Sequence, residues 1–303
     1  VAALAKSKTY LAESACAVIL EIVNSVGGVV DGTDGTVSII LTRAPALADW
    51  IATPANEATP EAVLLATAFW PALPAALRKR CDVLPPLGEE ESNAAAAVAA
   101  AAAVANGAEK QAKKSKKKKD GGDAVDLVKA AATARWSVFF RASHLEKIRD
   151  ALAESSHSHP QVHTVWGVLI DAARTFRITG ALERLWDVLV EQGLMTSGSH
   201  QRRFLGFRLF ASLLSGASAA LVPTLFSDNF NRCLLNNLAK QDNYLHAAAD
   251  DCLAHVLNIA KATGTPADVR LSIVGALRRL GPHRLDKVGD KKNAVRDLLG
   301  GLT

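Results

Sequence analysis

The chain has 303 residues and a mass of 32.0 kDa; 49% of its residues are hydrophobic, 5% are aromatic, and 35 basic against 30 acidic groups give a formal charge of +5. Alanine and leucine dominate and both favour helix, while regular strand alternation is confined to the short candidate Thr36-Val37-Ser38-Ile39-Ile40-Leu41, so an all-α fold is expected. Four scattered cysteines without a CxxC pair argue against a zinc site or a disulfide framework and fit a reducing compartment, and the alanine tract at 94–105 is too short and too weakly apolar to span a membrane.

Residues 7–26 place Leu11, Ala15, Val18, Ile19 and Ile22 on one helical face, and Gly27-Gly28 closes that helix. A Gly/Asp-rich turn at 31–35 leads to a shorter apolar segment ending near Trp50. Thr59-Pro60-Glu61 marks a helix start, with a capping hydroxyl, proline at the first helical position and an acid in the first turn. That helix carries Val63, Leu64, Phe69 and Trp70, and Pro71 and Pro74 kink or break it. Residues 86–122 read as a linker: Pro85-Pro86, three glutamates, an alanine tract, a lysine run and Gly121-Gly122. Such a segment buries too little apolar area to offset its ordering entropy, so a disordered Ala/Lys-rich loop is expected.

Helical pattern resumes over 123–140, and Ser143-His144-Leu145-Glu146 has the spacing of a capping box before the stripe Leu145, Ile148, Leu152. Pro160 is read as opening the next helix, with Val162, Val165, Trp166, Leu169, Ala173 and Phe176 on its apolar side. Leu182, Leu185, Trp186, Leu189 and Val190 mark another, ended by Gly193. Further stripes are Phe204, Phe207, Ala211, Leu214; then Phe230, Cys233, Leu234, Leu238; then Leu245, Ala248, Ala249, Cys252, Leu253, Val256. Thr265-Pro266 starts a last helix bearing Val269, Ile273, Leu277 and Leu280. Short connections between one-faced helices suit an irregular α-solenoid of HEAT or armadillo type, with a compact helical bundle as the alternative. The expected organisation is a helical-repeat segment at 1–85, the basic linker at 86–122 and a second helical-repeat segment at 123–303. The start at Val1 suggests a piece of a longer protein.

The positive charge is local. Residues 88–122 hold seven lysines against five acidic groups, and the stretch from Ala267 onward holds eight basic against four acidic residues. The run Lys113, Lys114, Lys116, Lys117, Lys118 and Lys119 has the character of a nuclear import signal, and its charge density also suits nucleic-acid phosphates. Arg278, Arg279, Arg284, Lys287, Lys291 and Lys292 form a second candidate nucleic-acid contact, although cations at a helix C-terminus stabilise the helix in any case.

Catalytic constellations are not found. Asp250-Asp251 is the adjacent acidic pair, but neighbours on a helix point about 100° apart and do not converge easily on one metal site. His157, His159 and His163 contain an i, i+4 pair, yet no carboxylate or cysteine stands near them in sequence, so capping and surface packing are the simpler roles. His246 is expected to hydrogen-bond within the helical array. Trp166, Trp186, Phe204, Phe207 and Phe230 fall at helical spacing and are read as core rather than as a ligand box. No cofactor and no small-molecule substrate is expected.

Five segments, in order, carry a resemblance: Thr59-Pro60-Glu61-Ala62-Val63-Leu64-Leu65; His163-Thr164-Val165-Trp166-Gly167-Val168-Leu169-Ile170; Gln201-Arg202-Arg203-Phe204-Leu205-Gly206-Phe207-Arg208-Leu209-Phe210; Leu225-Phe226-Ser227-Asp228-Asn229-Phe230-Asn231-Arg232-Cys233-Leu234; and Tyr244-Leu245-His246-Ala247-Ala248-Ala249. Over about residues 60–280 the chain resembles the DNA polymerase V / DNA polymerase phi / Myb-binding protein 1A family. The resemblance implies a non-enzymatic nucleolar helical-repeat scaffold in ribosomal RNA gene transcription and ribosome biogenesis, acting in some members as a transcriptional co-regulator. Its implied partners are pre-ribosomal RNA or ribosomal DNA and ribosome-assembly or transcription factors, with no membrane. A DNA-directed DNA polymerase, as the family name suggests, and a generic helical adaptor are the alternatives.

Overall fold

The side-chain oxygen of Thr59 accepts the amide of Ala62 at 3.3 Å, and Pro60 occupies the first helical position, where no amide is needed. This start, expected from sequence, launches a helix buried on nearly every side. In the computed structural model, which describes residues 9–25, 41, 43–70, 73–86, 121–281 and 285, all regular structure among the described residues is helical. The helices in chain order are α1 Thr9–Ser25, α2 Pro45–Ile51, α3 Pro60–Phe69, α4 Ala75–Arg80, α5 Gly121–Phe139, α6 Ala142–Ala153, α7 Thr164–Thr175, α8 Ala181–Arg184, α9 His200–Leu214, α10 Leu221–Leu225, α11 Asp228–Leu238, α12 His246–Lys261 and α13 Ala267–Leu280. A 3-10 turn, Glu154–Ser158, follows α6, and α8 runs without a break into a π-helical stretch, Leu185–Leu194. Thr36 to Ile40 and residues 87–120 of the expected linker lie outside the described residues.

The described residues fall into two compact units, one drawn from 1–152 with 163–181 and the other from 153–162 with 182–303. In the first unit α3 is the centre, packed by α1, α2 and α7. Its buried set runs from Pro60 to Thr67 and includes Phe69, which is why its sequence is apolar around the whole helix rather than on one stripe. Beside it Trp70, Trp136, Phe139 and Phe140 form a ring cluster, with Trp136 5.7 Å from Trp70 and stacked at 6.4 Å on Phe176.

In the second unit α9 packs on the π-helical stretch and on α12, α12 packs on α11 and α13, and α10 packs on α13. Trp186, Phe207, Phe210, Phe226 and Phe230 interlock at its centre; Phe210 and Phe230 stack at 4.2 Å while Trp186 meets both edge-on. Aromatic pairs in such arrangements add about 0.5–1.5 kcal/mol beyond the area they bury.

Several local expectations are corrected. On α1 the buried residues among those described are Ala12 and Cys16, with Ala15 and Ile19 half-buried and Val18 55% exposed, so Val18 does not face inward as expected; the side chains of Leu11 and Ile22 lie outside the described residues. Ser143 is the second residue of α6 rather than the cap before it, and the amides of His144 and Leu145 bond the Arg141 carbonyl. The helix after Pro160 begins at Thr164, because His163 rather than Pro160 supplies its cap. Gly193 does not end its helix: the Met195 amide still reaches back five residues to the Val190 carbonyl at 2.9 Å, and this wider winding brings Val188 and Leu194 inward as well. The hydroxyl of Thr265 bonds back to the Ile259 carbonyl at 2.8 Å and leaves the α13 amides uncapped by it. Phe204 is half-buried, its ring 4.5 Å from that of His159, while Trp166, Trp186, Phe207 and Phe230 are core as expected.

Candidate functional site

α1, α3 and α7 bring together residues that are far apart in sequence. Glu13 accepts both the amide and the hydroxyl of Thr164 at 2.8 Å, so a carboxylate on α1 holds the start of α7. One residue earlier, His163 Nδ1 accepts the Val165 amide at 3.1 Å, which leaves the ring proton on Nε2. That nitrogen lies 3.7 Å from Glu61 Oε1, with both side chains almost wholly buried. At this distance the contact is longer than a hydrogen bond, so the hold of His163 on Glu61 is electrostatic. Burial alone would raise the Glu61 carboxyl; His163, the Glu61 amide and the Thr59 hydroxyl outweigh it and keep the group below its ordinary range.

Cys16 completes a set of cysteine, histidine and carboxylate, the residue types of a thiol nucleophile. The chemistry does not follow. Burial first, then the charges of Glu61 and Glu13, push the Cys16 thiol up to about 12, so it stays protonated at neutral pH and is a poor nucleophile. Among the described residues no group of three or more His, Cys, Asp and Glu side chains is arranged to hold a metal ion. This cluster ties three helices together.

The second unit has a comparable device. Glu191, on the π-helical stretch, accepts the backbone amides of Asn229 at 2.6 Å and Phe230 at 3.1 Å and the hydroxyl of Ser227. Trp186 Nε1 donates to that same hydroxyl at 2.9 Å. A carboxylate from another helix thereby satisfies the free amides at the start of α11. Nothing in the run Leu189-Val190-Glu191-Gln192 signals this in sequence, since the partners stand 36 to 39 residues away.

Of the basic residues singled out, Arg278 and Arg279 are exposed on the last turn of α13, and Gly281, at φ 89°, closes the helix behind them. Arg284, Lys287, Lys291 and Lys292 lie outside the described residues, as do Lys113, Lys114, Lys116, Lys117, Lys118 and Lys119. His157 and His159 stay near the surface, whereas His163 is fully buried; its role is capping, as expected, but not at the surface. His246 Nδ1 donates to the Asn237 carbonyl at 2.9 Å, the internal bond expected of it. Asp250 is half-buried and Asp251 exposed on α12.

Compared with known proteins, the sequence matches the family described as DNA polymerase phi over residues 1–303. The chain belongs to the DNA polymerase phi family. It is also 28% identical over 135 residues to a Schizosaccharomyces pombe protein named "rDNA transcriptional regulator pol5", an overlap of 44% of this chain and 14% of that protein. The chain thus covers a small part of this relative's length. No solved structure matches this family member.

Proposed function

We propose that this member of the DNA polymerase phi family is a non-enzymatic scaffold for ribosomal RNA gene transcription and ribosome assembly in the nucleolus. The observation that carries the reading is its similarity to a protein named as a regulator of rDNA transcription. The helices form an irregular α-solenoid of HEAT or armadillo character; in support, successive helices α11, α12 and α13 pack each on the next. Its surfaces bind assembly or transcription factors; its basic segments, Lys113 to Lys119 and the cluster from Arg278 to Lys292, bind ribosomal RNA or DNA through phosphates, and the run Lys113 to Lys119 also assists nuclear import. Changing Lys113, Lys114, Lys116, Lys117, Lys118 and Lys119 together to alanine in the full-length protein should weaken nuclear accumulation or RNA association. If both were unchanged, the function given to that run would be wrong.

The family's description favours a second reading, template-directed DNA synthesis. A primer-extension assay on pure protein separates the two. The scaffold reading expects no extension; extension that disappears in Asp250→Ala/Asp251→Ala would support the polymerase.

A further inference from the structure

Tyr244 is 69% exposed, in the turn that joins α11 to α12. A tyrosine normally buries most of its ring, and leaving it in water forgoes that gain. The turn is nevertheless fixed on both sides of the ring. Asn243 Nδ2 donates to the Asn236 carbonyl at 2.7 Å and His246 Nδ1 donates to the Asn237 carbonyl at 2.9 Å, so both of these neighbours are tied to the end of α11. The backbone closes further through the Asn243 amide to the Lys240 carbonyl and the His246 amide to the Asn243 carbonyl. The ring is therefore displayed by an ordered backbone.

A second ring stands next to it. His200, exposed at the start of α9, has its ring centroid 5.0 Å from that of Tyr244, with the planes tilted by 39°. Leading to this pair, α11 presents Arg232 and Asn236, exposed and four residues apart, hence on one helical face about 6 Å apart, and Lys240, also exposed, follows just beyond its end. Asp228 and Asp242 are the exposed carboxylates of the same stretch, so its net charge is close to zero. Charge alone would not make this surface a strong phosphate binder. An open aromatic pair in the turn that also holds Lys240, with Arg232 further back along α11, offers instead a π-face for a base and donors for the adjoining backbone.

We infer that Tyr244 and His200 form a stacking platform for an unpaired base of single-stranded nucleic acid, with Lys240 and Arg232 directed to its phosphates. The inference rests on the proposed reading that the protein binds nucleic acid, and adds a site away from the basic runs. A duplex keeps its bases stacked on one another and does not fit the platform, so the site selects single strands. With most of the affinity from stacking, binding here depends less steeply on salt than binding by the lysine run.

The test uses the whole chain and a single-stranded oligonucleotide carrying 2-aminopurine, whose fluorescence is quenched when the base stacks. The unaltered chain and Tyr244→Phe should quench it with similar Kd. Tyr244→Ala should lose the quench and bind about 5- to 150-fold more weakly, the range for one stacked base. Because Tyr244 is exposed, its thermal unfolding should match that of the unaltered chain. If Tyr244→Ala kept both Kd and quench, the platform would be wrong while nucleic-acid binding stood. If the unaltered chain bound no single strand, the platform would fall while binding of duplex ribosomal DNA stood; if it bound neither a single strand nor a duplex, the nucleic-acid part of the proposed function would fall with it. Loss of a protein partner in Tyr244→Ala, with strand binding unchanged, would make the ring a protein contact and overturn the platform.

Discussion

His163 Nε2 lies 3.7 Å from Glu61 Oε1 in the first unit, with 0% and 4% of the two side chains exposed. One imidazole thus does two things: it caps α7 through Nδ1 and faces a buried carboxylate through Nε2. His163→Ala removes the cap acceptor and leaves Glu61 without its main counter-group. The expected loss is on the order of 3 kcal/mol, read from urea unfolding. His163→Asn, which restores a capping oxygen but not the contact with Glu61, should recover only about 1 kcal/mol of it.

Acid should weaken the first unit in two windows. His144 is buried against Phe139, and burial, then the Lys147 charge, lower its pKa to about 4. The unfolded chain, with an ordinary histidine near 6.5, takes up a proton that the folded chain refuses. Stability is then complete above about pH 6.5 and declines toward pH 4, by about 3 kcal/mol. His144→Phe should flatten this part of the profile. Glu61, held below its ordinary 4.5, contributes stability that is present above that value and lost as pH falls through its lower folded pKa. Urea midpoints measured from pH 8 to pH 3 would show both declines. A flat profile from pH 6.5 to 4 in the unaltered chain would refute the His144 assignment.

Glu191→Ala leaves the amides of Asn229 and Phe230 and the Ser227 hydroxyl without their acceptor in a buried setting, at a cost of about 2–4 kcal/mol. Ser227→Ala should cost only about 1 kcal/mol, because the two amides keep Glu191. Both variants alter the surroundings of Trp186, so tryptophan emission should shift in the folded state as well.

Gly206, in the middle of α9, has no room for a side chain: a Cβ there would collide with the sulfur of Met195, itself buried. Gly206→Val should destabilise by about 1–3 kcal/mol through overpacking. Adding Met195→Ala should restore part of the loss, and a double mutant as unstable as the sum of the two singles would contradict this packing.

Helices were legible in the sequence where apolar periodicity decides the fold. The stripes Phe230-Cys233-Leu234-Leu238 and Val269-Ile273-Leu277-Leu280 are buried as read, and Thr59-Pro60 caps as read. Readings failed where a partner distant in sequence sets the outcome. Glu61 looks like a first-turn acid, but α7 covers it and makes it a buried partner of His163. Glu191 carried no signal in the sequence, yet it serves amides on α11. Val18 faces water because Cys16 turns toward α3 instead. Tyr244 was legible as a segment of the family pattern, and its exposure was not, because it depends on where α9 places His200.

Crosslinking the full-length protein in cells, followed by sequencing of the DNA and RNA bound to it, tests the scaffold reading most directly. The account predicts enrichment of ribosomal DNA or pre-ribosomal RNA over other loci and transcripts, reduced when Lys113, Lys114, Lys116, Lys117, Lys118 and Lys119 are changed to alanine. Recovery of ribosomal sequences no greater than that of unrelated ones would contradict it.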